Sequence, residues 1–270
     1  MSTSPGATPL APEQYARFYG GKIVHLTAFE ASATLCAYMW QRVQQQVERL
    51  PLPEVYAALA PLRETLHQDA HLQALYGTLL AQLGLKKLSH WRVDRPRLRS
   101  IVPGAEHNPR ARAAYYAHRD TWYGNPVEQI NLWLPLQEYT AEQTFRFWPE
   151  YFQQAIPNSS EDFHARHWRG FQQANTHYPA PHKPQNLPDH SGFAVRAGDV
   201  LLFCGQHLHQ TLPNPGPEVR YSLDLRLLFM PDHTARTRCV EPVDNASTGC
   251  VCRQYTYLNE SGSRERGVHE

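Results

Sequence analysis

Residues 218–230 read EVRYSLDLRLLFM, with Val219, Tyr221, Leu223, Leu225, Leu227 and Phe229 all apolar or aromatic and Arg220, Ser222, Asp224 and Arg226 at the alternate positions. Side chains two apart along a strand share a face, so this segment has one face suited to a core and one that is polar. An exposed edge strand accounts for such a polar face without any function. The sequence just upstream argues for more. Residues 198–214, GDVLLFCGQHLHQTLPN, begin with a continuously apolar run from Val200 to Phe203, which reads as a buried strand. Gly205 then permits a bend, and His207 and His209 follow. A polar strand face directly after two histidines fits a barrel interior that binds an anion. A guanidinium fork offers two parallel donors to a carboxylate, which lysine cannot do, so Arg220 with Ser222 beside it is the candidate anchor.

A second motif lies upstream. With 15 histidines and 25 carboxylates, His-x-acid triplets arise by chance, and the chain has two. His67-Gln-Asp69 falls in a helical pattern, where residues two apart point to different sides of the cylinder and cannot converge on one ion. His118-Arg-Asp120 ends a β-prone run, AAYYAHRDTWY, where the same spacing shares a face. That pair and either His207 or His209 make two imidazoles and one carboxylate, a set that leaves coordination positions open in the manner of non-haem iron(II) sites. Zinc accepts the same ligand types.

Around these motifs the chain divides by period. Cys36, Met39, Trp40, Val43, Val47 and Leu50 recur at helical steps after Thr27 and Glu30, which have capping-box spacing. Pro51 and Pro53 interrupt, and Leu62, Leu66, Leu72, Leu75, Tyr76, Leu79 and Leu83 form a second helical stripe that stops at Gly84. From Trp91 onward short β-prone runs dominate, among them WRVDRPRLRSIV and QINLWLPL. The expectation is a mainly β domain with a helical flank, a sandwich or barrel. It spans residues 1–270 as one unit, with the flank over 27–90, the core over 91–232 and a tail over 233–270 that looks irregular and polar. Within the core, 137–192 has no clean period, yet it holds Phe145, Phe147, Trp148, Tyr151, Phe152, Phe163, Trp168 and Phe171, too many aromatics for a solvated coil. It is expected to fold over the site as a lid.

Composition narrows the partners. A formal charge of +1 with no single-sign block gives no footprint for nucleic acid or an anionic membrane, which favours small-molecule chemistry. No stretch has the length of a membrane span and no signal peptide is legible, so the expected location is cytoplasmic. Five cysteines, an odd count, do not form a disulfide framework, and Cys250 and Cys252 have no second pair to complete a zinc knuckle. The oligomeric state is not legible.

Taken in order, HRDTWYGNPVEQINLWLPL (118–136), GDVLLFCGQHLHQTLPN (198–214) and EVRYSLDLR (218–226) resemble the phytanoyl-CoA hydroxylase-like branch of the Fe(II)/2-oxoglutarate-dependent oxygenases. Within it, HRDTWY, QIN-x-W and SLDLR look similar to bacterial natural-product tailoring enzymes of antibiotic biosynthesis, the orthosomycin group being nearest. The resemblance implies a double-stranded β-helix, or jelly roll, with iron held by His118, Asp120 and His209. His209 rather than His207 fits the family's distance to the arginine. Arg220 and Ser222 would then hold the distal carboxylate of 2-oxoglutarate, and Gln129 and Asn131 would line the co-substrate pocket. The implied activity is hydroxylation or oxidative cyclisation of a small molecule, glycosylated natural products included, with O2 consumed and succinate and CO2 released. Asp120 fills the place a halogenase leaves for chloride. Trp122, Tyr123 and Arg226 are candidate substrate contacts. The rival expectation is a non-catalytic or metal-independent cupin-like protein, a sugar-binding module or an epimerase, which would need neither the triad nor Arg220.

Overall fold

The computed structural model describes residues 2–4, 18–85, 90–109, 111–165, 178–235, 244–248, 251, 255–258 and 264–265. Trp168, Phe171, Cys250 and Cys252 lie outside the described residues. Cys36 and Cys204 are buried free thiols.

The N-terminal third is helical. Helix α1 (Glu30–Val47) buries Leu35, Cys36, Met39 and Val43 along one stripe. Its start differs from the Thr27–Glu30 box expected from spacing. Asp199 Oδ1 takes the Ala28 N–H at 2.9 Å. Phe29 is the N-cap residue, and its N–H donates to Ser32 Oγ at 3.0 Å. The second helical stretch is broken into α2 (Leu52–Ala58), α3 (Ala60–Thr65) and α4 (Ala70–Gln82). The last break is Asp69, whose Oδ1 accepts the Leu72 N–H at 3.0 Å as an N-cap and whose Oδ2 pairs with Arg42 at 2.6 Å. The His67–Asp69 look-alike is thus a helix cap. No helix among the described residues is long and apolar enough to cross a membrane.

Among the described residues nine strands form one sheet, antiparallel except where β1 (Ser2–Ser4) runs parallel to β2 (Val24–Leu26). Its centre is the ten-residue β9 (Arg220–Phe229), which pairs with β5 (Ile130–Pro135) on one side and with β3 (Trp91–Val93) and β4 (Arg97–Ile101) on the other. β7 (Val200–Cys204) joins β5 to β2. A second sheet pairs β6 (Phe145–Phe147) with β8 (His209–Thr211). Two expectations are corrected. AAYYAHRDTWY is not a strand: Arg112–Tyr115 and Asp120–Tyr123 are 3-10 turns, with His118 alone bridging to His209. The tail is not wholly irregular either, since β10 (Thr256–Leu258) and β11 (Arg264–Glu265) extend the large sheet beyond β3. Before them, α5 (Met230–Ala235) follows β9 directly.

Period two decides which side chain goes where. Tyr221, Leu223, Leu225 and Leu227 of β9 share a core with Ile130, Leu132 and Leu134 of β5, with Leu202 of β7, and with Leu35, Met39 and Leu79 of the helices. Facing the opposite way, Trp133, Leu201 and Phe203 pack on Phe145 and Phe147 of the small sheet. The large sheet is thus covered by helices on one face and by the small sheet on part of the other, which explains why β5 and β7 read as nearly continuous apolar runs. Because Leu225 is fully buried on the helix side, Leu225→Ala should cost about 2–5 kcal/mol of stability in chemical denaturation, whereas Ser222→Ala on the opposite face should cost under about 1 kcal/mol.

Candidate functional site

The three candidate ligands come from two segments that share no regular strand. His118 N–H donates to His209 O at 2.9 Å and His209 N–H to His118 O at 3.0 Å, an antiparallel pair in which both side chains leave on the same side. Their rings lie 4.4 Å apart between centroids. Asp120 N–H donates to Gly205 O at 2.9 Å, anchoring the third ligand to the bend after β7. A ligand atom from each of His118, Asp120 and His209 lies within 4.8 Å of the others. Arg119, between the two upstream ligands, points away: its Nη1 pairs with Asp244 Oδ1 at 2.8 Å and its Nη2 donates to Gln154 O at 2.7 Å. The same-face relation expected of His118 and Asp120 is therefore kept by one bridge residue and a turn.

Both candidate ligand histidines are oriented by the backbone. His118 Nδ1 donates to Tyr116 O at 2.9 Å, and His209 Nδ1 donates to His207 O at 3.0 Å, so in each ring Nε2 is the nitrogen that could meet a metal. Burial and the facing His209 ring push His118 down to about 3, so its imidazole is neutral at physiological pH. His207 is placed differently. Its two nitrogens contact Cys204 O at 3.0 Å and Gly21 O at 2.9 Å, and the ring is buried against Phe152, which leaves no nitrogen facing the other two ligands.

Asp120 is the centre of the polar network. Its Oδ2 accepts from Asn131 Nδ2 at 2.6 Å and Gln129 Nε2 at 3.0 Å, and its Oδ1 accepts from Arg226 Nη2 at 3.1 Å. Burial opposes ionisation, but Arg226 first, then His209, His118 and Asn131, hold the carboxyl well below the usual range. Gln129 and Asn131, expected along the co-substrate pocket, thus hold the Asp120 carboxylate, and Asn131 also lines the cavity. Sequence reasoning missed two further parts of this network. Asn125 accepts from Arg226 Nη1 at 3.0 Å and donates to Asp120 O at 2.8 Å. Tyr255 donates its hydroxyl to Gln129 Oε1 at 2.6 Å, which fixes the amide so that its nitrogen faces Asp120. No local pattern announces either residue.

The polar face of β9 opens with these ligands on a cavity of about 1170 Å³. Arg220 is buried, and its Nη1 donates to Gln143 O and to Thr144 O. Its Nε has no partner, and no carboxylate pairs with it among the described residues. Burial pushes its pKa down to about 10, which still leaves it charged at neutral pH. Ser222 is buried beside it on the same face. Asp224 is taken by Arg99 Nε at 2.7 Å, not by Arg226. Of the candidate substrate contacts, Tyr123 lines the cavity and meets His118 edge-on at 5.3 Å. Trp122 does not meet its expectation: it is fully buried, packs with Trp148 and Leu208, and donates Nε1 to Asp244 Oδ1 at 2.9 Å.

Removing the Tyr255 hydroxyl leaves the buried Gln129 Oε1 without this donor and loosens the amide that donates to Asp120, so Tyr255→Phe should weaken divalent-metal affinity by about tenfold in an equilibrium metal titration. Arg119 and Asp244 form a buried pair at 2.8 Å, and Asp244→Ala should destabilise the protein by about 3–5 kcal/mol because it strands the guanidinium.

No family model matches the chain, and no curated protein matches it. Solved structures do. EvdO2 from Micromonospora carbonacea var. aurantiaca, solved alone and complexed with 2-oxoglutarate, aligns at 13% identity over 83% of this chain and 93% of its own, with a TM-score of 0.50. HygX from Streptomyces hygroscopicus, with nickel and 2-oxoglutarate bound, aligns at 15% identity over 82% of this chain and 87% of its own, with a TM-score of 0.44. The order and packing of elements described above are therefore those of a known architecture, and this chain has the fold of EvdO2.

Proposed function

We propose that this chain is an Fe(II)- and 2-oxoglutarate-dependent oxygenase of the double-stranded β-helix type that hydroxylates or oxidatively cyclises a small molecule, a bacterial natural product being the favoured class. The observation that carries this reading is Arg220, a buried guanidinium with an unpartnered Nε and no carboxylate among the described residues, in the same cavity as the triad. A structural arginine at that depth would have a carboxylate of its own. A dicarboxylate co-substrate supplies one, and EvdO2, whose fold this chain has, was solved with 2-oxoglutarate.

The donor set fits iron. His118 Nε2, Asp120 Oδ1 and His209 Nε2 offer two imidazoles and one carboxylate, and they face a cavity that leaves room for other ligands. Iron with 2-oxoglutarate and O2 would supply the oxidising chemistry, with succinate and CO2 as co-products. The protein holds and orients. Arg226, Asn131 and Gln129 keep Asp120 ionised and aimed, while Tyr116 O and His207 O set the two imidazoles. Arg220 and Ser222 would receive the far carboxylate of the co-substrate. Phe145, Trp133 and Phe203 give the cavity an apolar wall that excludes water next to His209. Tyr123 shields His118 from the other side.

Anaerobic addition of Fe(II) and 2-oxoglutarate should produce a weak visible charge-transfer band. Its absence, together with no succinate formed in air, rules this reading out. His209→Ala should abolish metal retention and His207→Ala should keep it, since His207 is occupied by two backbone carbonyls. Arg220→Ala should raise the 2-oxoglutarate requirement by roughly 10- to 100-fold and leave metal affinity nearly unchanged, as read by paired titrations.

A further inference from the structure

The cavity is larger than the co-substrate needs, and its walls are unevenly charged. At about 1170 Å³ it exceeds the range of roughly 300–1,000 Å³ usual for small-molecule sites. Arg63, Arg97, Arg99, Arg220 and Arg226 line it, against Asp120 and Asp224. Each carboxylate has an arginine of its own, Asp120 in Arg226 at 3.1 Å and Asp224, through Oδ2 alone, in Arg99 at 2.7 Å. Iron(II) and 2-oxoglutarate carry opposite and equal charge, so loading them leaves the positive surplus of the wall in place.

We propose that the part of this cavity bordered by β4 is a subsite for an oxyanion carried by the substrate, a carboxylate or a phosphate ester, held by Arg97 and Arg99. The inference rests on the oxygenase reading for the identity of the other occupants. Register puts the two arginines there. Arg97 is opposite Asp224 and Arg99 is opposite Ser222, so both share the inner face of β9, while Leu98 between them is buried in the apolar core. Arg97 Nη2 pairs with Asp94 Oδ2 at 2.5 Å, but its Nη1 is buried with no partner. Burial and the neighbouring Arg226 and Arg99 press its pKa down to about 10, a cost that an incoming anion relieves. Arg220 is the other guanidinium of this wall with a buried, unpartnered nitrogen, and 2-oxoglutarate accounts for it. Nothing already assigned accounts for Arg97. Arg63 continues the positive wall outward, stacked over Tyr56 at 4.3 Å with its Nη1 on Tyr56 O at 2.8 Å. An anionic group seated on β4 would hold the rest of the molecule between this strand and the triad, so the bond oxidised lies at a set distance from the charged group.

The test uses the full chain, loaded anaerobically with Fe(II) and saturated with 2-oxoglutarate so that Arg220 is occupied. Calorimetric titration with phenyl phosphate, benzoate and benzyl alcohol should show one or both anions binding about tenfold or more tighter than the alcohol. The better anion tells phosphate from carboxylate. Arg97→Gln and Arg99→Gln should each remove about tenfold of that preference while the affinity for 2-oxoglutarate holds. Arg97→Lys keeps a charge against Asp94 and covers the case in which Arg97→Gln does not fold; it should lose benzoate more than phenyl phosphate, because a point charge suits phosphate and lacks the carboxylate fork. Equal binding of all three probes overturns the proposal, as does a fall in 2-oxoglutarate affinity in the Arg97 and Arg99 variants. Failure of 2-oxoglutarate to bind overturns the oxygenase reading as well, whereas 2-oxoglutarate binding with no anion preference overturns this inference alone.

Discussion

A strand has two faces, and in the middle of this molecule each face of the central strands has its own neighbour: helices on one side, the small sheet and a cavity on the other. That constraint organises the rest. Because helices α1 and α4 cover one side of β5, β7 and β9, every second residue there must be apolar, and Leu132, Leu202 and Leu225 are. The other side is freed for a different use. Part of it is filled by the aromatics of the small sheet, and the remainder is lined by Asn131, Arg220, Ser222 and Arg226. The chemistry thus sits on the reverse of the core, one residue out of phase with it. A one-residue slip of β9 would place four polar side chains against the helices and the leucines in the cavity.

Burying so many charged groups is tolerable only where each has a partner, and the site shows how those partners are assigned. Asp120 accepts from three side chains, which stabilises its charge more than two imidazoles alone would. Arg226 is placed to serve Asp120, and Asp224, the nearer carboxylate in sequence, is left to Arg99. The guanidiniums of Arg220 and Arg97 keep buried nitrogens without partners. In a protein interior that pattern points to groups supplied from outside.

How much of this was legible in the sequence depends on range. Alternation is local, so the faces of β9 and the shared polar side of Arg220 and Ser222 could be read directly, as could the buried run of β7. The His118–Asp120 relation was also legible, though for an inexact reason: a strand was expected, and a single bridge followed by a 3-10 turn does the same work. Helix limits were less legible. Asp199, 171 residues from Ala28, takes the N–H just ahead of Phe29, and Thr27 plays no capping part. A tryptophan two residues from a candidate ligand can face the site or the core, and the choice of core for Trp122 rests on its packing with Trp148 and Leu208 and on its bond to Asp244, 122 residues away. Gln129 and Asn131 lie on the expected face, but the orientation of the Gln129 amide depends on a phenol 126 residues away.

Tyr255 and Asp244 also bear on when the site becomes whole. All three candidate ligands and Arg220 precede both of these residues in the chain, so they are synthesised first. A nascent chain that ends after β9 therefore holds every group that would touch metal or co-substrate. It still lacks the phenol that turns Gln129 toward Asp120 and the carboxylate that keeps Arg119 away from the ligands on either side. Ligand identity is complete early, and ligand orientation only late. Asp244 and Tyr255 would act as a clasp, tying the orientation of the candidate ligands to the closing of the fold.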